Sequence, residues 1–244
     1  MESAVHVRSI RDAGGEYDRV YLGDEFCERL LPTVRQLEKA LKISDKKITL
    51  ATPPLTDKGL AGAKKLLSAL PGKTEVVVND WGLLDDVKGL NLSPVLGRLL
   101  LKYHRDPRVE LIDDKIPKGC RKVLHSSALT QERFVKFLKK NRIRRIELDA
   151  VPFEVDHGDL SGFKASLHVP YAYVTTTRQC LANYFTTGRF GIRECRKQCI
   201  ECSFPWESQE LAFDMVQKGN TLFIEGDSAR IPQQCDRIVH HPQI

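Results

Sequence analysis

The sequence predicts an α/β protein built as a (β/α) barrel of the TIM type. Short apolar runs alternate with amphipathic helical stretches, an order that indicates crossover connections and a mostly parallel sheet. About seven or eight strands can be placed, which is the number that a barrel needs. No glycine-rich phosphate-binding fingerprint follows any of them, and this disfavours an open, doubly wound sheet. The chain has 244 residues, so we predict one barrel-like domain over residues 1–244. This length is at the low end for a complete barrel, so the sequence also allows an incomplete one.

The first part of the chain alternates strands and helices in a regular order. Gly23 ends the first apolar run, and leucine and valine side chains then recur at helical spacing. Pro53 stops the second strand, and Pro71 with Gly72 ends the second helix. The predicted elements are a strand at 19–23, a helix at 25–41, a strand at 47–52, a helix at 60–70 and a strand at 75–79.

The later elements follow the same alternation with weaker signals. Thr130 is a plausible cap for an amphipathic helix, and Pro170 interrupts a long extended stretch. The predicted elements are short strands at 95–98 and 123–125, a helix at 131–141, a strand at 145–149, an extended stretch at 165–174 and a strand at 221–225.

Composition narrows the class of protein. Hydrophobic residues make up 41% and charged residues 29% of the chain, as in ordinary globular proteins. The net charge of +6 is mildly basic and does not indicate a dedicated nucleic-acid binder. No apolar run approaches the roughly 18 residues of a membrane span, and the N-terminus lacks the pattern of a signal peptide. We therefore expect a cytoplasmic protein, in which seven reduced cysteines point to metal binding or catalysis rather than disulfides.

Four of the seven cysteines lie in one basic segment, residues 178–202. Arginine and lysine side chains surround them, and cationic neighbours favour the thiolate form that binds metal ions. Soft thiolates suit zinc, copper(I) and iron–sulfur clusters. The cysteines of this segment are Cys180, Cys195, Cys199 and Cys202.

Three metal chemistries fit this segment. Three or four thiolates can hold zinc, although zinc ribbons use two C-x2-C pairs and the segment has one, from Cys199 to Cys202. The run from Cys195 to Cys202 also matches the three-cysteine pattern of radical S-adenosylmethionine enzymes, but it lies late in the chain rather than after the first strand. Four thiolates are the usual ligands of an iron–sulfur cluster. The residue pattern alone leaves these chemistries open.

A further cysteine, Cys27, comes soon after the first predicted strand. Functional side chains of barrels lie at the C-terminal ends of the strands, and Cys180 follows one of the last predicted strands. Closing the barrel would bring the first and last strands together, so Cys27 could reach the late cysteines. The position of Cys27 fits a buried small side chain equally well.

Several segments resemble one known family. Val20-Tyr-Leu-Gly23 precedes Cys27, Tyr173-Val-Thr-Thr-Thr-Arg-Gln-Cys180 presents a second cysteine, and Cys195-Arg-Lys-Gln-Cys199 is a C-x3-C pair. These segments are similar to the UbiU/UbiV group of the collagenase-like peptidase family (the U-thirty-two peptidases), and the UbiV side fits better. Further similarity lies at 76–82 and 96–102, and the resemblance spans residues 17 to about 205.

The resemblance implies a ligand set and a function. Cys27, Cys180, Cys195 and Cys199 would bind one 4Fe-4S cluster, with Cys202 as a spare that could replace one of them. UbiV-type proteins pair with a sister UbiU-like protein in the oxygen-independent hydroxylation of ubiquinone biosynthesis, and other members modify RNA bases. A small-molecule or nucleobase substrate and a hetero-oligomer are therefore implied.

Three alternatives to a hydroxylase component remain. Some members of the family are described as collagen-degrading peptidases, so a hydrolase is one. The sequence shows no serine–histidine–acid set or paired carboxylates specific enough to predict hydrolysis. A cluster-bearing partner subunit without catalytic activity and a zinc protein are the others.

Three other polar residues, Asn79, Asp80 and Arg98, lie near predicted strand ends, where side chains of a barrel could contact a substrate. Asn79 and Asp80 follow a predicted strand and are better explained by turn and capping chemistry, so Arg98 is the stronger candidate. The basic run at 136–145 is better explained by a solvated helix face, although nucleic acid stays open as a partner. Histidines without ligand spacing are interpreted as ordinary surface or hydrogen-bonded residues, and the last two as part of a polar tail in which adventitious metal binding is the most that is expected. They are His104, His125, His157, His168, His240 and His241.

Overall fold

The structure, a computed structural model, describes residues 1–188, 195–226 and 231–242. Twelve strands lie within these ranges. They are β1 (Glu2–Val7), β2 (Arg19–Gly23), β3 (Lys47–Ala51), β4 (Glu75–Val78), β5 (Ser93–Leu96), β6 (Arg145–Asp149), β7 (Lys164–Val169), β8 (Tyr171–Thr176), β9 (Phe204–Trp206), β10 (Met215–Lys218), β11 (Thr221–Glu225) and β12 (Cys235–His240).

Eight of these strands form a closed barrel. Their order is β1-β12-β7-β6-β5-β4-β3-β2, and every neighbouring pair is parallel. The barrel closes between the first and last strands, where Ala4 pairs with Val239. The predicted (β/α) barrel is confirmed, and it is complete.

Helices pack against the outside of the barrel. A helix follows each of β2, β3 and β4, and two follow β5. Thr33 caps the first helix through a capping box with Gln36, and Thr56 caps the second. The helices are α1 (Val34–Ile43), α2 (Asp57–Ser68), α3 (Leu84–Gly89), α4 (Lys118–Leu124), α5 (Glu132–Lys140) and α6 (Leu181–Thr187).

The hydrophobic core lies between the barrel and these helices. Leu22, Leu50 and Val76 on the outer faces of β2, β3 and β4 belong to one buried cluster with Leu37 of α1 and Leu66 of α2. Removing this apolar surface from water is the main stabilising contribution of the packing. In the described ranges no helix is long and apolar enough to cross a membrane.

In the sequence, the segment between barrel strands β7 and β12 forms a second sheet. Its order is β8-β11-β10-β9, and its paired strands are antiparallel. The two strands of the predicted extended stretch, β7 and β8, belong to different sheets, with Pro170 between them. The predicted strand at 221–225 is present, but it lies in this second sheet rather than in the barrel.

The barrel interior is polar at both ends. A thin apolar layer crosses its middle, formed by Ala4, Tyr21, Ala51, Val77, Val95 and Val239. At the N-terminal end, Arg237 contacts Glu2 and Glu75, and Arg145 contacts Asp236. The C-terminal end holds buried histidine, arginine and carboxylate side chains, and it is there that the candidate site lies.

Several sequence-based assignments were wrong or missing, β9 and β10 of the second sheet among those missed. The strand predicted at 123–125 is the end of α4 and the following turn, because a short apolar run carries no periodicity and Val123 is exposed. β1 and β12 were not predicted, since the inward side chains of these strands include Glu2, His6 and Arg237. Polar side chains at alternate positions are typical of an exposed segment, so nothing in the sequence indicated that these strands are buried in the barrel.

Candidate metal centre

A cavity of about 540 Å³ lies at the C-terminal mouth of the barrel. Barrel residues such as His6 and Arg98 form one wall, and residues of the second sheet such as Thr221 and Phe223 form another. Functional sites of (β/α) barrels are built at this end because the loops after the strands converge there. It is far larger than a second cavity, of about 10 Å³, beside His104.

The four cysteines of the predicted ligand set all line this cavity. Cys27, Cys180, Cys195 and Cys199 come from three separate segments of the chain. Cys202 is not among the lining residues, and its thiol donates a hydrogen bond to the carbonyl oxygen of Gln198 at 3.0 Å. Cys202 nevertheless packs in the same small cluster as Cys27, Cys180 and Cys199, so it stays a possible replacement for one of the four predicted ligands. Residues 189–194 of the predicted 178–202 segment lie outside the described residues.

The loop after β2 presents Cys27 through a buried carboxylate. Oδ1 of Asp24 accepts hydrogen bonds from the backbone amides of Phe26 and Cys27, at 2.9 and 2.8 Å. Its Oδ2 accepts one from Nε of Arg8 at 3.0 Å. Because Asp24 is almost fully buried, these bonds fix the turn that aims Cys27 at the cavity.

The β10–β11 hairpin turn holds the cysteine segments together. Gly219 has a left-handed φ of 61°, and a Cβ there would lie 3.1 Å from Cβ of Cys199. The side-chain amide of Asn220 donates to the carbonyl oxygens of Phe26 at 2.8 Å and Thr177 at 2.6 Å. One turn therefore contacts the loops that carry Cys27 and Cys180 and approaches Cys199.

The sequence predicted that barrel closure would bring Cys27 and Cys180 together, and this explanation was wrong. Cys27 follows the second barrel strand, β2, and Cys180 follows β8 of the antiparallel sheet. Barrel closure joins β1 to β12 and neither of these segments. The Gly219-Asn220 pair between two extended runs was the sequence signal for the hairpin that does join them.

Burial favours the protonated thiol at three of the four cysteines. It raises the pKa of Cys27 to about 12, and the nearby Asp24 carboxylate contributes in the same direction. Burial also raises the pKa of Cys199 to about 11 and that of Cys180 above its ordinary value. A metal ion or cluster would supply the positive charge that stabilises the thiolates, with release of protons on binding. The donor set therefore fits a thiolate-bound metal group.

The spacing of the sulfurs bears on which group fits. Among the described residues, no three cysteine sulfurs lie within 4.8 Å of one another. Four thiolates on one zinc ion, at Zn–S distances of about 2.3 Å, would lie about 3.8 Å apart. In a four-iron cluster each thiolate binds a different iron, so the sulfurs are spread more widely. The choice between a cluster and one zinc ion stays a prediction from the sequence.

Two histidines, His6 and His241, line the same cavity, and His168 lies buried behind them. Nδ1 of His6 lies 3.3 Å from Nδ1 of His241, and Nε2 of His241 lies 2.7 Å from Nδ1 of His168. Nε2 of His168 in turn lies 2.7 Å from Oε2 of Glu147. His168 is thus a hydrogen-bonded histidine, as expected, whereas the interpretation of His241 as part of a polar tail was wrong, because His241 lines the cavity.

Burial sets the charge of these side chains. It lowers the pKa of His6 and of His168 to about 3, and it holds that of His241 well below the usual range. Burial raises the pKa of Glu147 to about 7, against the lowering effect of Arg237 and Arg145. The three imidazoles are therefore neutral at physiological pH.

Arg98 is the centre of a buried charge network. It forms ion pairs with Glu25 and with Asp149, the latter at 2.7 Å, and Arg105 contacts the other oxygen of Asp149 at 2.6 Å. Arg98 lines the cavity, as expected for the stronger substrate-contact candidate.

The neighbouring polar residues have structural roles, as predicted. Asn79 bonds the backbone of Thr52 and Leu99, and Asp80 caps the short helix Trp81–Leu83. Of the basic run, Lys136, Lys139 and Lys140 lie on the exposed side of α5, whereas Arg145 is buried in the barrel.

Searches against protein-family models, curated proteins and solved structures found no match to this chain. The resemblance to the UbiU/UbiV group stays a prediction drawn from the motifs.

Proposed function

We propose that this protein binds one 4Fe-4S cluster through Cys27, Cys180, Cys195 and Cys199. The proposed activity is an oxygen-independent hydroxylation or related modification of an aromatic or nucleobase substrate, of the kind found in ubiquinone biosynthesis, in the cytoplasm. The observation that supports the ligand set is that these four thiols, from three separate segments of the chain, line one cavity at the barrel mouth. When bound, the cluster would supply electron transfer or hold the site in shape; with four cysteine ligands, no iron position is open to substrate.

The rest of the cavity supports an aromatic substrate that carries negative charge. The rings of Phe26, Tyr171 and Phe223 line it and offer faces for stacking. The cationic side chains of Arg8 and Lys218 line it as well and could pair with an anionic group. These residues would bind and orient the substrate, and the second sheet would limit the access of water.

Single cysteine variants test the ligand set. Anaerobic purification of the native chain should give a brown protein with about four irons and four sulfides per chain. Cys27→Ala should lose the iron and sulfide, because it removes the ligand from the β2 loop. Cys202→Ala and Cys120→Ala, the latter on the exposed face of α4, should retain both. A colourless protein with one zinc ion, or a Cys27→Ala variant with a full cluster, would contradict the proposal.

A sister UbiU-like protein would dock beside the cluster. Large apolar side chains are exposed around the cysteine segments, and the rings of Phe185 and Phe204 lie 5.2 Å apart. These exposed side chains are Phe185, Ile200 and Trp206. Replacing Trp206 by serine should weaken copurification with the partner and leave the iron content unchanged; unaltered copurification would count against docking on this face.

A further inference from the structure

We infer that His6, Glu25 and His241 form a second, mononuclear site for a divalent transition-metal ion in the wall of the same cavity. Their ligand-type atoms all lie within 4.8 Å of one another, and no other group of three histidine, cysteine or acidic residues in the described ranges does so. The inference goes beyond the proposed function, since none of the three is a cluster ligand.

The spacing of the two imidazoles fits ligands of one ion. Their Nδ1 atoms are 3.3 Å apart. Two imidazole nitrogens at about 2.0–2.1 Å from a tetrahedral zinc ion are separated by about 3.3–3.4 Å. The same distance is long for a direct hydrogen bond between nitrogens. Nε2 of His6 is buried and has no hydrogen-bond partner, so neither ring nitrogen of His6 is committed to a strong hydrogen bond and either could serve as the ligand atom.

The surroundings of His241 are those of a metal ligand. Ligating histidines usually direct their second ring nitrogen at a hydrogen-bond acceptor, which fixes the ring and its tautomer. If Nε2 of His241 donates to Nδ1 of His168, and Nε2 of His168 donates to Glu147, the lone pair of His241 Nδ1 faces His6. This chain of contacts holds the ligand nitrogen in place from within the barrel.

Glu25 supplies the oxygen ligand. It is fully buried, and Arg98 holds its carboxylate mainly through Oε2. Oε1 receives two long contacts, 3.4 Å from Nε of Arg98 and 3.5 Å from Nδ2 of Asn79. Arg98 thus orients the carboxylate while leaving coordination capacity on Oε1.

The donor set indicates the class of ion. Two imidazoles and one carboxylate suit zinc or iron(II), and sites of this composition keep further positions open. His6 and His241 line the cavity, so the open positions would face it. The ion would be placed to bind an oxygen atom of a substrate as a Lewis acid.

Cobalt(II) binding to the anaerobically reconstituted protein tests the site. We expect one cobalt ion per chain, with visible ligand-field absorption and without the near-ultraviolet charge-transfer bands of cobalt–thiolate bonds. His6→Ala and His241→Ala should each weaken binding by more than about 100-fold, and His168→Ala, which removes the orienting partner, by about 10- to 100-fold. Iron and sulfide contents should equal those of the wild type in all three variants.

His240→Ala is the matched control. His240 adjoins His241, but its ring lies against Tyr17 at a centroid distance of 5.7 Å, away from the cavity. This variant should bind cobalt as the wild type does. If an alanine variant fails to fold, by circular dichroism, His6→Gln and His241→Gln replace it.

Two results would overturn the inference: no cobalt bound by the wild type, or wild-type affinity in the His6 and His241 variants. Cobalt that shows thiolate bands alone would also overturn it, because the ion would then occupy the cysteines. A protein that assembles no cluster would contradict the proposed function and leave this inference standing, provided that histidine-dependent ligand-field bands are present.

Discussion

Asp149 is a single side chain that balances the charge of two arginines buried at the mouth of the barrel. Its carboxylate contacts Arg98, Arg105 and the hydroxyl of Tyr103. The guanidinium of Arg105 lies between the rings of Tyr103 and Tyr173, at 3.7 and 3.8 Å from their centroids. Burial alone would raise the pKa of Asp149, but Arg105 and Arg98 hold it at about 2. The ionised form is therefore part of the folded structure.

Asp149→Asn should lower the free energy of unfolding by about 3 kcal/mol at neutral pH, because it leaves two buried guanidiniums with one charge fewer to balance them. The folded pKa lies below the ordinary value of 3.8, so this contribution is present above pH 4 and is lost as pH falls toward 2. Urea denaturation at several pH values should show the difference from wild type narrowing over that interval.

Asp159→Asn is the control for that measurement. Asp159 is exposed in a loop, where it bonds Ser161, so its variant should unfold at the wild-type urea concentration. A gap between wild type and Asp149→Asn that stays constant from pH 4 to pH 2 would contradict the assigned pKa.

At the scale of elements, the antiparallel sheet assembles the cysteine site. Its β10–β11 turn contacts both loops that carry Cys27 and Cys180. Phe26, in the first of these loops, packs against Phe223 of β11 with ring centroids 5.1 Å apart. The barrel alone would supply Cys27, and the sheet brings the remaining thiols to it.

Asn220→Ala should speed loss of the cluster to a chelator by roughly tenfold. The variant removes bonds to Phe26 and Thr177, and one or two net hydrogen bonds at about 1 kcal/mol each correspond to that factor. The measurement is the decay of visible cluster absorption under anaerobic conditions. Asn141→Ala, at the end of α5, removes a similar bond to Phe137 far from the cysteines and should decay at the wild-type rate. Equal rates in all three proteins would show that the turn does not hold the site.

At the scale of the whole molecule, one buried arginine ties distant barrel strands together. Arg237 of β12 contacts Glu2 of β1, Glu75 of β4 and the hydroxyl of Tyr21 of β2. It is 1% exposed, so these contacts replace its hydration. The ends of the chain are thus joined by a charge network as well as by the β1–β12 ladder.

Arg237→Met should lower the free energy of unfolding by about 3–5 kcal/mol, because Glu2 and Glu75 would lose their shared buried partner. Urea denaturation followed by circular dichroism measures the change. Arg108→Met, which removes an exposed arginine paired with Asp106, should have little effect. If the two variants unfolded at the same urea concentration, the network would not stabilise barrel closure.

The apolar strands were predictable because each carries its own signal. Residues 19–23, 145–149 and 221–225 have the predicted bounds, and the helices predicted at 60–70 and 131–141 are displaced by only a few residues at their ends. The helix predicted at 25–41 begins at Val34, since Pro32 and Thr33 form its entrance and a short 3-10 turn precedes it. Local patterns of this kind do not depend on distant residues.

The sequence by itself determined the α/β alternation, the barrel class and, through its motif resemblance, the four candidate cysteines. The tertiary structure decided which strands close the barrel. It also decided that Cys180 follows a strand of a separate sheet and that His6, Glu25 and His241 lie close together. The physical reason is that apolar periodicity depends only on residues close together in the sequence. Nothing in the sequence around a polar residue such as His6 indicates that it is buried. It acquires its surroundings only when β1 and β12, from opposite ends of the chain, pair and enclose it.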